Sequence, residues 1–224
     1  MSHAKSSMKI GVDGVLIGAW GASQGSMGLD VGCGCGLIAL MAAQRNPEAK
    51  IYAVDIHQPS VEEATVNFKN SPWANRLYAC LSDISDYVSL SENRNKFDFI
   101  ISNPPFFCAG KNELSTPREI ARHQGVLSPS KLIDWSDEIL TNNGTLSMII
   151  PYDNCKSILQ NSVIPLEKIC VVSDHPGKKP KRAMLQFRKS KTVNIVYDEL
   201  NIRDSNGEYS REYVSLTKDF YIGF

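Results

Sequence analysis

The chain has 224 residues, 42% hydrophobic and 21% charged, which suits one α/β domain with a proper core better than two full domains. Lys plus Arg and Asp plus Glu both number 24, so no global charge draws the protein to nucleic acid, and any RNA contact must come from a local basic patch. Six cysteines (Cys33, Cys35, Cys80, Cys108, Cys155, Cys170) lack a zinc-ligand spacing, and neither a signal-peptide core nor a membrane-length apolar run is visible; a soluble, cytoplasmic protein with free thiols and no metal is expected.

Short apolar runs alternate with amphipathic stretches, the pattern of a doubly wound parallel sheet. Met27–Val31 reads as a buried strand. It runs into Asp30-Val31-Gly32-Cys33-Gly34-Cys35-Gly36 and a helix over Leu37–Gln44. Such a glycine turn lets backbone approach a ligand while helix N–H groups face it. An acid precedes the first glycine, and the third follows two residues after the second. That pattern resembles the glycine signature of class I methyltransferases more than a dinucleotide fingerprint, and the resemblance implies a methyl donor whose ammonium Asp30 could orient. A mere tight turn is the bland alternative.

Ile51–Val54 is a second strand, ending at Asp55. An acid about 20 residues past the glycine loop is placed to accept from both hydroxyls of a ribose. A helix is expected over Pro59–Asn70, with Pro59 in its first turn. A weak third strand, Leu77–Cys80, leads to Asp83-Ile84, which reads equally as a helix cap or, by resemblance to class I methyltransferases, as the site of the cofactor's adenine, the Asp83 carboxylate and the Ile84 N–H meeting the base.

Phe97–Ile101 is a fourth strand entering Ser102-Asn103-Pro104-Pro105-Phe106. This run resembles the signature of amino-methyltransferases, whose acceptor, an exocyclic NH₂, is a poor nucleophile because its lone pair is delocalised into the ring. Two acceptors, the Asn103 side-chain oxygen and the Pro104 carbonyl, would hold its two hydrogens and expose that lone pair. Pro105 stiffens the loop, and Phe106 offers a face for the extracted base. A rigid proline turn is the alternative.

A long polar connection from Phe106 to about Leu127 follows, suited to a binding loop. Then come a helix over Ser130–Leu140, a turn at Asn142-Asn143-Gly144 and a fifth strand over Thr145–Ile150. Ile169–Ser173 and Met184–Phe187 pair as strands around the basic stretch His175–Arg182. Lys178, Lys179, Lys181 and Arg182 are the candidate RNA-phosphate contacts, although like-charge clusters are more often only solvated. An extended run over Val193–Tyr197 and a terminal helix complete the chain.

Met8-Lys9-Ile10-Gly11-Val12-Asp13-Gly14-Val15-Leu16-Ile17-Gly18-Ala19-Trp20 resembles the opening block of the bacterial tRNA1(Val) adenine-37 N6-methyltransferases. Asn70-Ser71-Pro72-Trp73, Ser102–Phe107, Arg122-His123, Pro180-x-Arg182 and the tail Tyr209 to Tyr221 are similar too. The likeness spans nearly the whole chain. It implies a Rossmann-like class I methyltransferase fold, a seven-stranded mostly parallel sheet with helices on both faces and its last strand antiparallel, within one domain over 1–224.

It further implies S-adenosylmethionine as donor and the anticodon stem-loop of a tRNA as partner. Residues 1–20 would cover the cofactor through Lys9, Gly11 and Asp13, although Gly11 and Gly14 around Asp13 read equally as a simple turn. Phe106, Phe107 and Arg122 would face RNA. Gly32, Gly34, Gly36, Asp30, Asp55, Asp83, Ile84 and Asn103 would line the cofactor. Val12 stands where the family has Thr, and Phe106 where Tyr is usual. The rival readings are a guanine-N2 or glutamine-N5 methyltransferase, an NAD-dependent dehydrogenase and a catalytically silent RNA-binding module. Oligomeric state stays open, with a monomer favoured.

Overall fold

A computed structural model describes residues 1–4, 10–105, 127–190 and 194–223. Its strands are β1 (Met27–Val31), β2 (Lys50–Asp55), β3 (Leu77–Leu81), β4 (Phe97–Ser102), β5 (Leu140–Pro151), β6 (Leu166–Ser173), β7 (Arg182–Arg188) and β8 (Val196–Asn201). They form one sheet in the order β3-β2-β1-β4-β5-β7-β6-β8. Among the described strands only β7 runs antiparallel to its neighbours. The expected seven strands are therefore eight: β8 adds to the outer edge of β6, parallel to it. Its residues start later than the extended run read from sequence, because Leu200 rather than Ile195 is buried.

The helices are α1 (Val12–Trp20), α2 (Leu37–Arg45), α3 (Gln58–Lys69), α4 (Ile84–Ser89), α5 (Pro129–Ile139), α6 (Cys155–Gln160) and α7 (Arg211–Thr217). Local chemistry explains their starts. The Ser128 hydroxyl accepts from the Lys131 N–H at 3.4 Å, with Pro129 in the first turn, and the Ser210 hydroxyl accepts from Tyr213 N–H at 3.0 Å. Among the described residues no helix is long and apolar enough to cross a membrane.

Two apolar clusters sandwich the sheet. Leu16, Ile38, Ala42, Phe68, Phe99 and Ile101 belong to one, roofed by α1, α2, α3 and α7. Leu29, Ile84, Val88, Ile100, Leu132 and Leu146 belong to the other, under α4, α5 and α6. Phe99, Ile100 and Ile101 alternate between the two as a strand buried on both faces must.

Two sequence expectations change. Asn142-Asn143-Gly144 does not separate a helix from β5 but lies inside it. The pairing jumps from Phe97↔Leu140 to Phe99↔Thr145, so the two exposed asparagines swell out of the ladder as an irregular bulge. The simple turn around Asp13 is instead the first turn of α1. That helix buries residues 14–19, and Gly18 admits it because a Cβ there would lie 2.6 Å from Met41 Sδ.

Candidate cofactor and acceptor site

β1 lies between β2 and β4, so the chain leaves β1 toward one edge of the sheet and returns on its other side at β4. Ligands of such sheets bind beyond the carboxyl ends of the strands at this switch. Val31 pairs with Ser102 at the paired limit of β1 and β4, and the buried Ser102 hydroxyl donates to the Val31 carbonyl at 2.7 Å. Gly32 and Asn103, the next residues, thus start side by side from two clipped strands.

The glycine turn is bonded to itself and to β2. Gly32 and Cys33 N–H donate to the Val54 carbonyl at 2.8 and 3.1 Å, and Gly36 N–H to the Cys33 carbonyl at 2.8 Å. Gly36 has φ +83°, and a Cβ there would sit 2.4 Å from Phe68; this glycine shapes the turn and seats α2 on α3. Gly34, φ +54°, differs: a Cβ there would meet nothing within 4 Å. The open surface offered to a ligand is therefore the Cα face of Gly34. The amides of Gly32, Gly34 and Gly36 are committed within the protein.

Asp30 is 1% exposed. Its Oδ2 accepts from the Ala39 N–H at 3.0 Å, capping α2 from a neighbouring strand because the N-cap, Gly36, has no side chain. Its Oδ1 is buried without a hydrogen-bond partner among the described residues. Burial first, then the Asp55 charge, raises its pKa to about 7 against the pull of the Ala39 amide. Such an oxygen is placed to gain from a cation.

Asp55 straps the glycine loop: Oδ2 accepts from Gly34 N–H at 2.9 Å and Oδ1 from His57 N–H at 2.8 Å. Each oxygen keeps lone pairs for further donors. Ile56 follows it and is 69% exposed, an apolar face at the carboxyl edge that sequence reasoning does not single out. The available signal is an apolar residue directly after a strand-ending acid.

Asp83 is a helix cap in fact, its Oδ1 accepting from Ser85 N–H and Oγ at 2.8 and 2.7 Å. Ile84 opens α4 and is buried. Asp83 is nonetheless brought to the same edge, since Ser82 N–H donates to the Asp55 carbonyl at 3.1 Å. Burial pushes the Cys33 thiol well above the usual range and Cys35 up as well, so neither is a ready thiolate.

Asn103 Oδ1 is the second buried polar atom here without a partner among the described residues. An orphaned amide oxygen is costly unless a donor arrives. Pro104 after it is buried and Pro105 half-buried. Lys9, Phe106, Phe107 and Arg122 lie outside the described residues.

The remaining candidates lie on α1 and on the β6–β7 connection and at the start of β7. The expected RNA cations are mostly paired: Lys179 with Asp153 at 2.6 Å, Lys181 with Asp174, and Arg182 Nε with Asp13 Oδ2 at 2.8 Å. Lys178 is exposed and has no ion pair among the described residues. Gly11 is the N-cap of α1 and makes no side-chain cap.

A family model described as the methyltransferase small domain matches residues 14–171. A Phocaeicola vulgatus protein named tRNA1(Val) (adenine(37)-N6)-methyltransferase is 40% identical over 229 residues, covering 98% of this chain and 93% of its own. A protein of the same name from Actinobacillus succinogenes is 36% identical over 226 residues, covering 100% and 94%. A crystal structure of a predicted O-methyltransferase from Agrobacterium tumefaciens superposes with a TM-score of 0.73 over 92% of this chain and 96% of that one. At 16% identity that likeness speaks to fold.

Proposed function

The chain belongs to the tRNA1(Val) (adenine(37)-N6)-methyltransferase family, and we propose that it moves the methyl group of S-adenosylmethionine onto the N6 amine of an adenine in tRNA, adenine 37 of the tRNA1(Val) anticodon loop by kinship. The observation that carries this reading is the buried Asn103 Oδ1 beside the glycine turn, without a hydrogen-bond partner among the described residues. A neutral amide oxygen, next to a backbone carbonyl that proline cannot pair through an N–H of its own, holds both hydrogens of an NH₂ without taking either.

The cofactor supplies an electrophilic methyl on a sulfonium. The chain's residues do the rest. Asp30 Oδ1 would accept from the donor's ammonium, which favours its ionised form, the proton passing to solvent. Asp55 accepts from the ribose hydroxyls while keeping Gly34 in place, and Ile56 covers an adenine face. Asp83 caps α4 with one oxygen and leaves the other for the adenine amine, beside the Ile84 N–H. Gly34 gives the backbone its closest approach. Asn103 and the Pro104 carbonyl would hold the acceptor amine for methyl transfer, where proximity supplies much of the rate. Phe106 stacks on the flipped base, Phe107 and Arg122 face the RNA, and Lys9 and Gly11 belong to the segment over the cofactor. The protein works on a tRNA anticodon stem-loop in the cytoplasm.

Single-turnover methyl transfer to tRNA with Asn103→Ala tests the reading. The amide's work falls in the transition state, so cofactor and tRNA affinities should hold while the rate drops about 100-fold or more. A wild-type rate in the variant would remove Asn103 from the chemistry.

A further inference from the structure

We propose that Arg182 is a positioning residue for the cofactor segment, acting through its ion pair with Asp13, and makes no contact with RNA phosphate. This rests on the cleft being an S-adenosylmethionine site. The two residues are 169 apart in sequence, and Arg182 Nε donates to Asp13 Oδ2 at 2.8 Å with side chains 34% and 24% exposed. Partial burial makes such a charge-assisted bond stronger than an open surface pair.

Arg182 starts β7, opposite Pro151 of β5 and beside Val172 of β6. That is the carboxyl edge of the parallel strands, the edge that also carries Gly32 and Asn103. Asp13 lies in the first turn of α1. The far end of this helix is pinned by Arg45, whose Nη1 donates to the Gly18 and Gly21 carbonyls at 3.0 and 2.6 Å. The near end has Gly11 as N-cap and no side-chain cap. Arg182 supplies the pin that the cap does not.

What this end holds is the glycine turn. Gly14 abuts Leu37, since a Cβ on it would lie 3.2 Å from Leu37 Cδ2, and Leu37 is the first residue of α2, directly after Gly36. A loosened first turn of α1 transmits to α2 and the cofactor loop. The neighbouring Lys179 and Lys181 pair with Asp153 and Asp174; of these three paired cations Arg182 alone reaches back to α1.

The test uses Arg182→Ala, Arg182→Lys, Asp13→Ala and the Arg182→Ala/Asp13→Ala double variant. Three quantities are measured without turnover: S-adenosylmethionine affinity by calorimetry, hydrogen exchange of amides 12–16 in the ligand-free protein, and the salt dependence of tRNA binding. Each alanine variant should weaken the cofactor about three- to tenfold and speed exchange in the first turn. The double variant should be no worse than the worse single one, because both remove one interaction. Arg182→Lys should keep most of the affinity, and the salt slope should not change in any variant.

Unchanged cofactor affinity and exchange in Arg182→Ala, or a salt slope lowered by about one, would overturn the proposal. Wild-type protein that binds no S-adenosylmethionine would sink the cofactor reading itself, while the exchange data would still decide whether Arg182 pins α1.

Discussion

Replacing Asp30 with asparagine probes the buried carboxyl that caps α2 with one oxygen and leaves the other without a partner among the described residues. In the folded chain its pKa stands at about 7, against an ordinary 3.8, chiefly through burial. A carboxyl whose folded pKa is raised holds its proton more tightly when folded. Its contribution to stability is therefore complete below about pH 4, shrinks as pH rises, and is lost above about pH 7. At about 1.36 kcal/mol per unit, some two units of that span fall between about pH 5 and 7.5, or about 3 kcal/mol. The substituted amide would keep an acceptor for the Ala39 N–H but cannot titrate. Urea unfolding of both proteins at about pH 5 and 7.5 should show the wild type losing about 3 kcal/mol relative to the Asp30→Asn variant across that range. Saturating S-adenosylmethionine should flatten the difference, because its ammonium restores the ionised form. Parallel pH profiles without ligand would refute the reasoning.

Asp55→Ala removes the strap on Gly34 and, in the proposed site, the partner of the ribose hydroxyls, so S-adenosylmethionine affinity should fall at least about tenfold; equal affinity by calorimetry would take Asp55 out of the site. In the hairpin, Lys178→Glu should weaken tRNA binding in a salt-dependent way and more than Lys179→Glu or Lys181→Glu, whose lysines already carry acidic partners. Identical tRNA affinity for Lys178→Glu and wild type at low salt would reduce the patch to a solvated face.

The sheet was legible because strands buried on both faces announce themselves as compact apolar runs. Met27–Val31 and Phe97–Ser102 differ from their sequence bounds by at most one residue. Helix α1 was not legible: its residues 14–19 are all buried, so it shows no polar face, and Gly14 and Gly18 look like turn residues when they are contact residues. The bulge at Asn142 and Asn143 mimics a turn for a similar reason, since exposed asparagines in a swollen strand and in a loop have one composition.

At the site, residue types were readable and their partners were not. Asp30 and Asp55 fall in the last two residues of their strands and Asp83 follows one, a local property. That Asp30 caps α2, that Asp55 holds Gly34 and that Asp13 meets Arg182 depend on packing between distant segments. The orphaned Asn103 oxygen joins the two levels: its motif shows in sequence, its isolation only in three dimensions.

The most direct measurement is mass spectrometry of nucleosides from tRNA that lacks the modification, after incubation with this protein and S-adenosylmethionine. The account predicts N6-methyladenosine with the wild-type chain, mapped to the anticodon loop, and about a hundredth or less of it with Asn103→Ala in the same time. Methylation of guanine N2, or no methylated nucleoside from a protein that binds the cofactor, would contradict it.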